Sequence, residues 1–528
     1  MKKRKQGNTI FLSIAFNHHD SNVALSIDDV IVASLELERL FRAKKISASI
    51  THMEIAARFL LEKFNFTISD VDYLVVNALN NPFENSTSEE DIRENEYAFL
   101  GRNIPTFILR HHLAHAGHYY FSNFSKALIA SCDGGGDLGE RVVYFIGDNL
   151  TIQRLLVNID DHISTKPYGQ FASYLYGEPF SEGKLMGLAG LSFKVSDVML
   201  KLVSEVFPRL KNVDFVYGQT LLKNIFKSEQ NLAKKDPLSC ASLASAIQSE
   251  FVKRRVQDIK KVYRTKYENI VLCGGSALNL GCNSKIFEDV TKSIYISPNC
   301  DDTGIAIGQI AIIIAKEIGK RPRCKLPYLG INESSQQFEL TKKGKEKIFE
   351  IENEPQKIAM RLSQDEIGIC HIGRAEVGPR ALGHRSFLIS PLQILNKERI
   401  SVEIKQRESY RPVAPIILEE DLQLYFQGGP ARSPYMMFNY IANEEAQEKI
   451  PAVVHTDGTS RVQTVNKDDE SFLRQILTEF KKITGIGVLI NTSLNLNRQP
   501  ITNFVYDTFE IARKINAKLF ICSRYEDI

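Results

Sequence analysis

The chain has 528 residues and a formal net charge of +3, from 66 Lys plus Arg against 63 Asp plus Glu. This near balance gives no global case for binding nucleic acid or a membrane, so any phosphate site must be local. The length exceeds what one hydrophobic core usually supports, and two or three domains are expected.

The N-terminal segment predicts a first β-strand. A basic run and a short apolar run end in Asn-His-His-Asp at 17–20 without a small-residue cleavage site, so no signal peptide is expected. The longest apolar run, residues 304–315, is shorter than the roughly 20 residues of a bilayer span. The eight cysteines include no Cys-x-x-Cys pair, which favours a reducing compartment. We expect a soluble, cytoplasmic protein.

Two regions of the N-terminal half share one pattern. Residues 11–39 and 126–148 each place an apolar strand before a turn rich in Asp and a returning strand, which predicts an internal duplication. In the second turn, Gly134 and Gly135 follow Asp133. Glycine lets backbone N–H groups approach a phosphate, and a carboxylate can hold a metal or water beside it. The alternative is a tight hairpin turn without a ligand.

The segment RHHLAHAGHYYF, residues 110–121, holds four of the 11 histidines. On a helix, His111 and His115 are four apart and share a face, which suits two imidazoles binding one ion. His112 points elsewhere. The alternative is that these are ordinary polar residues at a helix start.

Two later segments also suit a ligand. Residues 268–285 read as a buried strand, then Gly274-Gly275-Ser276, then a helix, and backbone donors at such a junction suit a nucleotide. Asp301 and Asp302 precede a helix that carries Gly304 and Gly308. Asp at a helix start is also the commonest of caps.

The chemistry of the chain changes after residue 374. Five arginines lie in a short span rich in Gly and Pro, and loops can bring several guanidinium groups to one phosphate. They are Arg374, Arg380, Arg385, Arg407 and Arg411. Scattered surface arginines are the alternative. Further on, a buried strand ends in hydroxyl and amide side chains at 491–495, and strand ends are where open α/β sheets present ligand groups.

Nine motifs occur in the order and approximate spacing of one family. They are HDS, HHLAHA, DGGGD, EGKLMGLAG, GGSALN, DDTG, GPRALGHRS, RESYRPVAP and NTSLN. The chain resembles the NodU/CmcH family of O-carbamoyltransferases from about residue 11 to about residue 506. The resemblance implies an α/β fold in two parts. Residues 1–335 would form a duplicated actin-like ATPase (ASKHA) domain similar to threonylcarbamoyl-adenosine transferases, and residues 336–528 a YrdC-like α/β domain.

The resemblance also implies a reaction. The YrdC-like domain would convert carbamoyl phosphate and ATP into carbamoyl adenylate, with release of phosphate and pyrophosphate. The actin-like domain would pass the carbamoyl group to a hydroxyl of a small-molecule acceptor, a natural product or a sugar, and leave AMP. The implied partners are therefore ATP, carbamoyl phosphate and this acceptor, without nucleic acid or membrane. A homodimer is the candidate assembly.

The family motifs assign roles to individual residues. The implied metal ligands are His111, His115, Asp133 and Asp302. The family metal is expected to be Fe(II), although imidazole and carboxylate ligands also accept Mn, Co or Zn, and Mg²⁺ accompanies ATP. His19 would take the acceptor proton, and Asp20 would orient His19 or contact the acceptor. A turn histidine with an Asx cap is the alternative for this pair.

Two further sets are expected to bind phosphorylated substrates. The nucleotide-binding set is Gly134, Gly135, Gly183, Lys184, Gly274, Gly275, Ser276 and Asn279. The carbamoyl phosphate and ATP set is Arg374, Arg380, Arg385, Arg411, Asn491 and Ser493. For Lys184, a plain surface lysine is the alternative.

The chain departs from the family pattern at several positions. Residues 498–501 read Arg-Gln-Pro-Ile in place of Gly-Glu-Pro-Ile, so no carboxylate role is expected there. Asn22 stands where a small residue is usual, and the turn DGGGDLGER is longer than the common DGxGE. Both lie near the expected acceptor site and are expected to reflect the acceptor. The segment around Lys44 follows the pattern only loosely, and Lys44 is not assigned a role.

Three other functions fit part of the pattern. An ASKHA kinase would use the duplicated hairpins but not the paired histidines or the arginine-rich second domain. A non-catalytic nucleotide-binding regulatory protein would not need the intact site. A tRNA-modifying threonylcarbamoyl transferase is disfavoured by the low net charge and the absence of a long basic stripe.

Overall fold

The computed structural model describes residues 8–83, 88–157, 165–191, 195–227, 232–263, 267–333, 350–468 and 471–523. The first of its sheets has six strands in the order β3-β2-β1-β4-β6-β5. The strands are β1 Ile10–Ala15, β2 Asn22–Ile27, β3 Val30–Glu36, β4 Tyr73–Asn77, β5 Ile92–Phe99 and β6 Arg102–Leu109. Every residue of β1 is buried, as expected for a central strand that is covered on both faces.

The second sheet repeats the topology of the first. Its order is β11-β10-β7-β8-β9, with strands β7 Lys126–Cys132, β8 Val142–Asp148, β9 Thr151–Leu155, β10 Ile270–Cys273 and β11 Ile294–Ile296. In each sheet an antiparallel three-stranded meander is followed by two parallel strands, β4 and β6 in the first and β10 and β11 in the second. The predicted α/β class and the predicted duplication are confirmed.

Helices surround these two sheets. They are α1 Leu37–Phe41, α2 Ile50–Lys63, α3 His111–Ala116, α4 Lys166–Tyr176, α5 Glu182–Ala189, α6 Asp197–Val206, α7 Phe215–Phe226, α8 Leu232–Lys235, α9 Pro237–Tyr263, α10 Leu280–Asp289 and α11 Ile305–Ile318. Helix α11 carries most of the apolar run 304–315 and is buried from Ile305 to Ala315. It lies in the apolar core shared by the two sheets, because a helix that is hydrophobic all round must be buried. No helix among the described residues is long and apolar enough to cross a membrane.

A third, mixed sheet follows the undescribed segment 334–349. Its order is β12-β21-β13-β14-β20-β15-β19, and β16, β17 and β18 form a small antiparallel sheet. The strands are β12 Glu350–Glu352, β13 Gly368–Cys370, β14 Ser386–Ile389, β15 Ala414–Leu418, β16 Phe426–Gln427, β17 Tyr440–Ala442, β18 Thr459–Ser460, β19 Gln463–Val465, β20 Val488–Ser493 and β21 Leu519–Ile521. The predicted domain boundary at 335/336 lies outside the described residues, and the YrdC-like fold of this part stays a prediction.

The third sheet is covered on both faces. Its helices are α12 Pro355–Ser363, α13 Leu395–Glu398, α14 Leu422–Tyr425, α15 Glu444–Lys449, α16 Phe472–Thr484 and α17 Val505–Lys514. Helices α12 and α16 cover one face. The other face belongs to an apolar cluster that also includes residues of β7, β8 and helices α4 to α10. The N- and C-terminal parts therefore share a core.

Polar contacts fix the two parts against each other. Arg39 on α1 pairs with Glu36 at 2.9 Å and donates to the backbone carbonyls of Glu376 and Gly378. The Gly378 amide donates back to Glu36. Because Arg39 and Glu36 are buried, these bonds are shielded from water and hold the loop of the GPRALGHRS motif against β3 and α1.

Candidate metal centre and inter-domain cavity

The four predicted metal ligands meet at one point. His111 and His115 lie on α3, Asp133 follows β7, and Asp302 precedes α11. One ligand atom from each side chain lies within 4.8 Å of the others. His115 Nε2 is 3.3 Å from a carboxylate oxygen of both Asp133 and Asp302, and the two Nε2 atoms are 3.1 Å apart. The tertiary structure therefore assembles an N₂O₂ set from three separate segments.

Helix α3 is held at both its start and its side. The Asp137 carboxylate accepts a hydrogen bond from the His111 amide, and negative charge at a helix N-terminus is favourable. At the side, a Cβ atom on Gly308 would lie 2.0 Å from the carbonyl oxygen of Ala114. Only glycine fits at this point, and it lets α11 approach closely enough to bring Asp302 to the histidines.

The electrostatics of the cluster fit a cation. Burial disfavours the charged form of His115, but the carboxylates of Asp133 and Asp302 raise its pKa to about 9. Burial also opposes ionisation of Asp133, yet His115 and His111 lower the pKa of its carboxyl. The buried Oδ1 of Asp302 lies 3.3 Å from His115 Nε2 and 3.6 Å from His111 Nε2. The site thus favours a positive charge, and a divalent ion would replace the imidazole proton.

The two neighbouring histidines do not join this set. His112 Nδ1 lies 2.8 Å from Ser131 Oγ, as expected for a side chain that points elsewhere. His118 Nε2 lies 3.1 Å from the Gly304 carbonyl oxygen, and burial lowers the pKa of His118 to about 3. Both are neutral, buried packing residues beside the cluster.

The predicted acid–base pair has a third member. His19 Nδ1 lies 2.8 Å from the Asp20 carboxylate, and Lys45 Nζ donates to the same carboxylate. Burial opposes ionisation of Asp20, but its bonds to His19 and Lys45 lower its pKa to about 2. Burial also works against protonation of His19, whereas Asp20 raises its pKa. Asp20 therefore orients the His19 ring through Nδ1, and Nε2 takes no part in this hydrogen bond.

Two departures from the family pattern have structural roles here. Asn22 is inaccessible to solvent, and its Nδ2 donates to the backbone carbonyls of Asp20 and Asp302, each at 2.7 Å. The longer turn supplies Asp137, which holds α3, and Glu140, which accepts a hydrogen bond from the Arg110 side chain at 2.8 Å. Both departures contact the protein itself, and the expectation that they reflect the acceptor stays a prediction.

The glycine turns of the predicted nucleotide set orient Asp133, a predicted metal ligand. The Asp133 carboxylate accepts hydrogen bonds from the amides of Gly134 and Gly275, the latter at 2.7 Å. Gly274 has φ +81°, and a Cβ there would lie 2.3 Å from the Cys132 carbonyl oxygen. The amides of Gly134 and Gly275 are therefore already bound to a protein group. Gly135, in contrast, is exposed and has open space around it.

The other members of the nucleotide set are dispersed. Asn279 caps α10 and exchanges side-chain hydrogen bonds with Gln248, and Ser276 is buried in the preceding turn. Gly183 lines the cavity described below. Lys184 pairs with Glu178 at 2.6 Å and with Glu408 at 3.2 Å, so its charge is already compensated.

A cavity of about 330 Å³ lies between the N- and C-terminal parts. Asp20, Lys45 and Asp301 line its N-terminal side. The C-terminal side presents four arginines, namely Arg380, Arg407, Arg411 and Arg461. Asn491 and Ser493 also line it. Four of the six residues predicted to bind carbamoyl phosphate and ATP thus reach one cavity, which faces the acid–base pair.

The arginine charges in this cavity are poorly compensated. Among the described residues, no carboxylate lies within ion-pair distance of Arg380 or Arg461, and the Nε atoms of both are buried without a hydrogen-bond partner. Arg411 lies 3.7 Å from Glu408. Burial and the other arginines lower the pKa of Arg461, and burial with Arg411 lowers that of Arg407 to about 9. Guanidinium groups stay protonated in proteins, so an anion would relieve this repulsion.

Two predicted arginines do not reach the cavity. The Arg374 guanidinium donates to the carbonyls of Gly330, Leu329 and Val32 and ties the C-terminal part to the N-terminal one. Arg385 is buried and donates to backbone carbonyls of its own domain. The geometry gives both arginines a structural role in place of the predicted substrate contact.

Lys405 is a further cation that the sequence interpretation missed. It is 1% exposed, and its Nζ donates to Ser493 Oγ at 2.9 Å and Asn495 Oδ1 at 2.8 Å. Burial and the charges of Arg407 and Arg411 lower its pKa. Lys405 therefore holds the strand end at Ser493 in place behind the arginines.

Sequence signals for the missed residues differ. Asn495 is the last residue of the NTSLN motif and Lys405 lies two residues before RESYRPVAP, so both could have been included on that ground. Lys45 lies 25 residues from its partner Asp20, and Arg461 lies outside the arginine-rich span. Neither spacing nor composition singles out these two, because only the folded chain brings them to the cavity.

A cavity that gathers poorly compensated arginines opposite a buried carboxylate is typical of enzymes that transfer groups from anionic donors. Comparison with known proteins identifies which ones. Residues 101–312 match the family described as Carbamoyltransferase N-terminus, and residues 359–525 match Carbamoyltransferase C-terminus. The chain belongs to the carbamoyltransferase family, and it is a carbamoyltransferase enzyme, as the motifs predicted.

Individual relatives agree with this assignment. Nodulation protein NolO of Bradyrhizobium diazoefficiens is 31% identical over 76% of this chain and 75% of its own length. Nodulation protein NolNO of Sinorhizobium fredii is 28% identical over 93% of this chain and 76% of its own. Among solved structures, the activator of 2-hydroxyisocaproyl-CoA dehydratase from Clostridium difficile covers 59% of this chain and 97% of its own, at 15% identity and a TM-score of 0.35.

Proposed function

We propose that the protein is an ATP-dependent O-carbamoyltransferase that works in two steps. Carbamoyl phosphate, ATP and water give carbamoyl adenylate, phosphate and pyrophosphate. The hydroxyl of a small-molecule acceptor, a natural product or a sugar, then attacks the carbamoyl carbon, and AMP leaves. This function accounts for two features that an ASKHA kinase or a regulatory protein would not need, the histidine pair and the arginine cavity.

The arginines support the first step. Forming the adenylate brings carbamoyl phosphate and the ATP phosphates into one pocket, and bidentate guanidinium groups neutralise such charges. Arg380 and Arg461 are free for this role because no described carboxylate pairs with them. Asn491 adds a buried side-chain carbonyl oxygen that has no hydrogen-bond partner among the described residues. Mg²⁺ would accompany ATP and neutralise further phosphate charge.

The acid–base pair supports the second step. Asp20 binds His19 through Nδ1, so Nε2 can accept the acceptor's hydroxyl proton as the new C–O bond forms. Lys45 is bonded to Asp20 and lines the cavity. It can therefore stabilise negative charge on the departing AMP phosphate. The bond between the carbamoyl carbon and the phosphate oxygen breaks in this step.

The metal cluster lies beside this pair. His111, His115, Asp133 and Asp302 would hold Fe(II) or another divalent transition metal, because the set combines two imidazoles with two carboxylates. Such an ion supplies Lewis-acid polarisation of a carbonyl or phosphoryl oxygen when bound. The protein fixes the position of this charge through the amides that bind Asp133.

One observation carries the proposal. Asp20 and Lys45 of the N-terminal part line the same cavity as Arg380, Arg411 and Arg461 of the C-terminal part. An adenylate formed at the arginines would thus face the acid–base pair without leaving the protein, which protects a reactive intermediate from hydrolysis.

The test is release of AMP and pyrophosphate from ATP by anaerobically metal-loaded protein, with and without carbamoyl phosphate. Pyrophosphate formation that depends on carbamoyl phosphate is expected, with AMP released as the adenylate is consumed, and Arg380→Ala should lose both. The control is Arg432→Ala, which removes an exposed arginine that pairs with Glu419 outside the cavity, and it should retain activity. Formation of ADP, or no response to carbamoyl phosphate, would refute the adenylate mechanism. Mass spectrometry of candidate acceptors then identifies the carbamoyl adduct.

A further inference from the structure

Asn22 lies between the acid–base turn and the metal centre. It is the first residue of β2 and is inaccessible to solvent. Its side-chain Nδ2 donates to the Asp20 carbonyl at 2.7 Å and to the Asp302 carbonyl at 2.7 Å. Its Oδ1 accepts from the Ala306 amide at 2.9 Å. The side-chain amide of Asn22 thus binds three backbone groups, two through Nδ2 and one through Oδ1.

These three groups belong to two segments that are about 280 residues apart in the chain. Asp20 is in the turn that holds His19, whereas Asp302 and Ala306 are in the turn and first helical residues that present a metal ligand. Helix α11 has no side-chain cap at its own N-cap residue Gly304. Asn22 supplies a bond to one of the free amides of the first turn, which would otherwise lack a partner within the helix.

Other contacts of the acid–base turn do not make this connection. Ser21 binds back to Asn17, within the same turn. His19 and Lys45 bind the Asp20 side chain and leave its carbonyl group untouched. A smaller residue at position 22 could not reach both Asp20 and Asp302, because the amide group bridges them in one plane.

We propose that Asn22 is a positioning residue that couples the acid–base turn to the metal centre in this chain. By fixing the backbone of Asp302 against that of Asp20, Asn22 sets the position of the metal ion relative to His19. Binding of the ion would then order both turns together. This inference rests on the metal site proposed above.

The first test measures cobalt(II) binding to the full chain by titration calorimetry and by the visible absorption of the bound ion. Groups that orient metal ligands typically contribute about 10- to 100-fold to affinity, so Asn22→Ala and the milder Asn22→Ser are expected to bind cobalt roughly tenfold more weakly. The matched control is Asn283→Ala. Asn283 is also buried, and its Nδ2 also bridges two backbone carbonyls, those of Ala277 and Met437, but it does not contact either turn.

The second test is hydrogen exchange with and without cobalt. In the wild type and in Asn283→Ala, cobalt should slow amide exchange in residues 301–307 and also in residues 17–22. In Asn22→Ala, slowing should persist in the first segment when cobalt is saturating and be lost in the second. Slowing of both segments in Asn22→Ala, with wild-type affinity, would overturn the inference. If the wild type binds no cobalt, the metal proposal itself fails and the inference with it.

Discussion

Replacement of Arg461 by Met is expected to change ligand binding and stability in opposite directions. Arg461 lines the cavity with Arg380, Arg407 and Arg411, and burial with these charges lowers its pKa. Met keeps most of the length and removes the charge. The unliganded protein loses a source of repulsion, whereas a bound phosphate loses a guanidinium partner.

Both effects can be given a size. A hydrogen bond to a charged group contributes about 1.5 to 3 kcal/mol, so carbamoyl phosphate should bind roughly 10- to 150-fold more weakly to Arg461→Met. Relief of like-charge repulsion should stabilise the unliganded protein by about 1 kcal/mol, in the range seen when binding-site strain is removed. That corresponds to a rise in Tm of roughly 2 °C.

The assay combines KM for carbamoyl phosphate in pyrophosphate formation with the Tm of the unliganded protein. The control is Arg432→Met, which removes an exposed arginine paired with Glu419. It should neither change KM nor raise Tm. An Arg461→Met variant with unchanged KM and a lower Tm would show that this arginine is structural, and the argument from uncompensated charge would be wrong.

Four further predictions follow from the site. The pKa of His115 is raised to about 9 in the folded protein. Its contribution to the stability of the metal-free protein is therefore complete below the unfolded-state pKa near 6.5 and is lost as pH rises through 9. Metal affinity, measured by cobalt titration, should increase over the same pH range. The pKa of Asp20 is depressed to about 2, so its contribution is present above the unfolded value near 4 and is lost as pH falls toward 2, which acid titration of unfolding should detect. Lys45→Met should lower carbamoyl transfer to the acceptor by at least tenfold and pyrophosphate formation much less, because Lys45 is bonded to Asp20; equal loss of both steps would contradict its placement. Gly308→Ala should cost about 1 to 3 kcal/mol of stability by overpacking against Ala114 and weaken cobalt binding, and wild-type values in calorimetry would contradict the close approach.

Local patterns in the sequence were sufficient for several features. The paired hairpins predicted the duplication, because an apolar strand, an Asp-rich turn and a returning strand form a unit that needs no distant partner. His111 and His115 could be assigned to one face because a helix places residues four apart on the same side. The apolar run ending at 315 could be excluded as a membrane span by its length, and the structure accounts for it as α11, buried in the core that the two sheets share.

Features that depend on distant segments were decided only by the tertiary structure. The sequence alone could not separate Arg380, which lines the cavity, from Arg374 and Arg385, whose guanidinium groups bind backbone carbonyls. An arginine-rich loop has the same composition whether its side chains face a ligand or the chain itself. The sequence marked Asn22 only as a departure near the expected acceptor site, and the folded chain shows that it connects segments 280 residues apart. The sequence by itself determined which chemical groups the protein has and their local geometry. Packing of α11 against α3, and of the C-terminal part against α1, decided which of those groups meet, because pairing across long chain separations depends on burial and contact rather than on spacing.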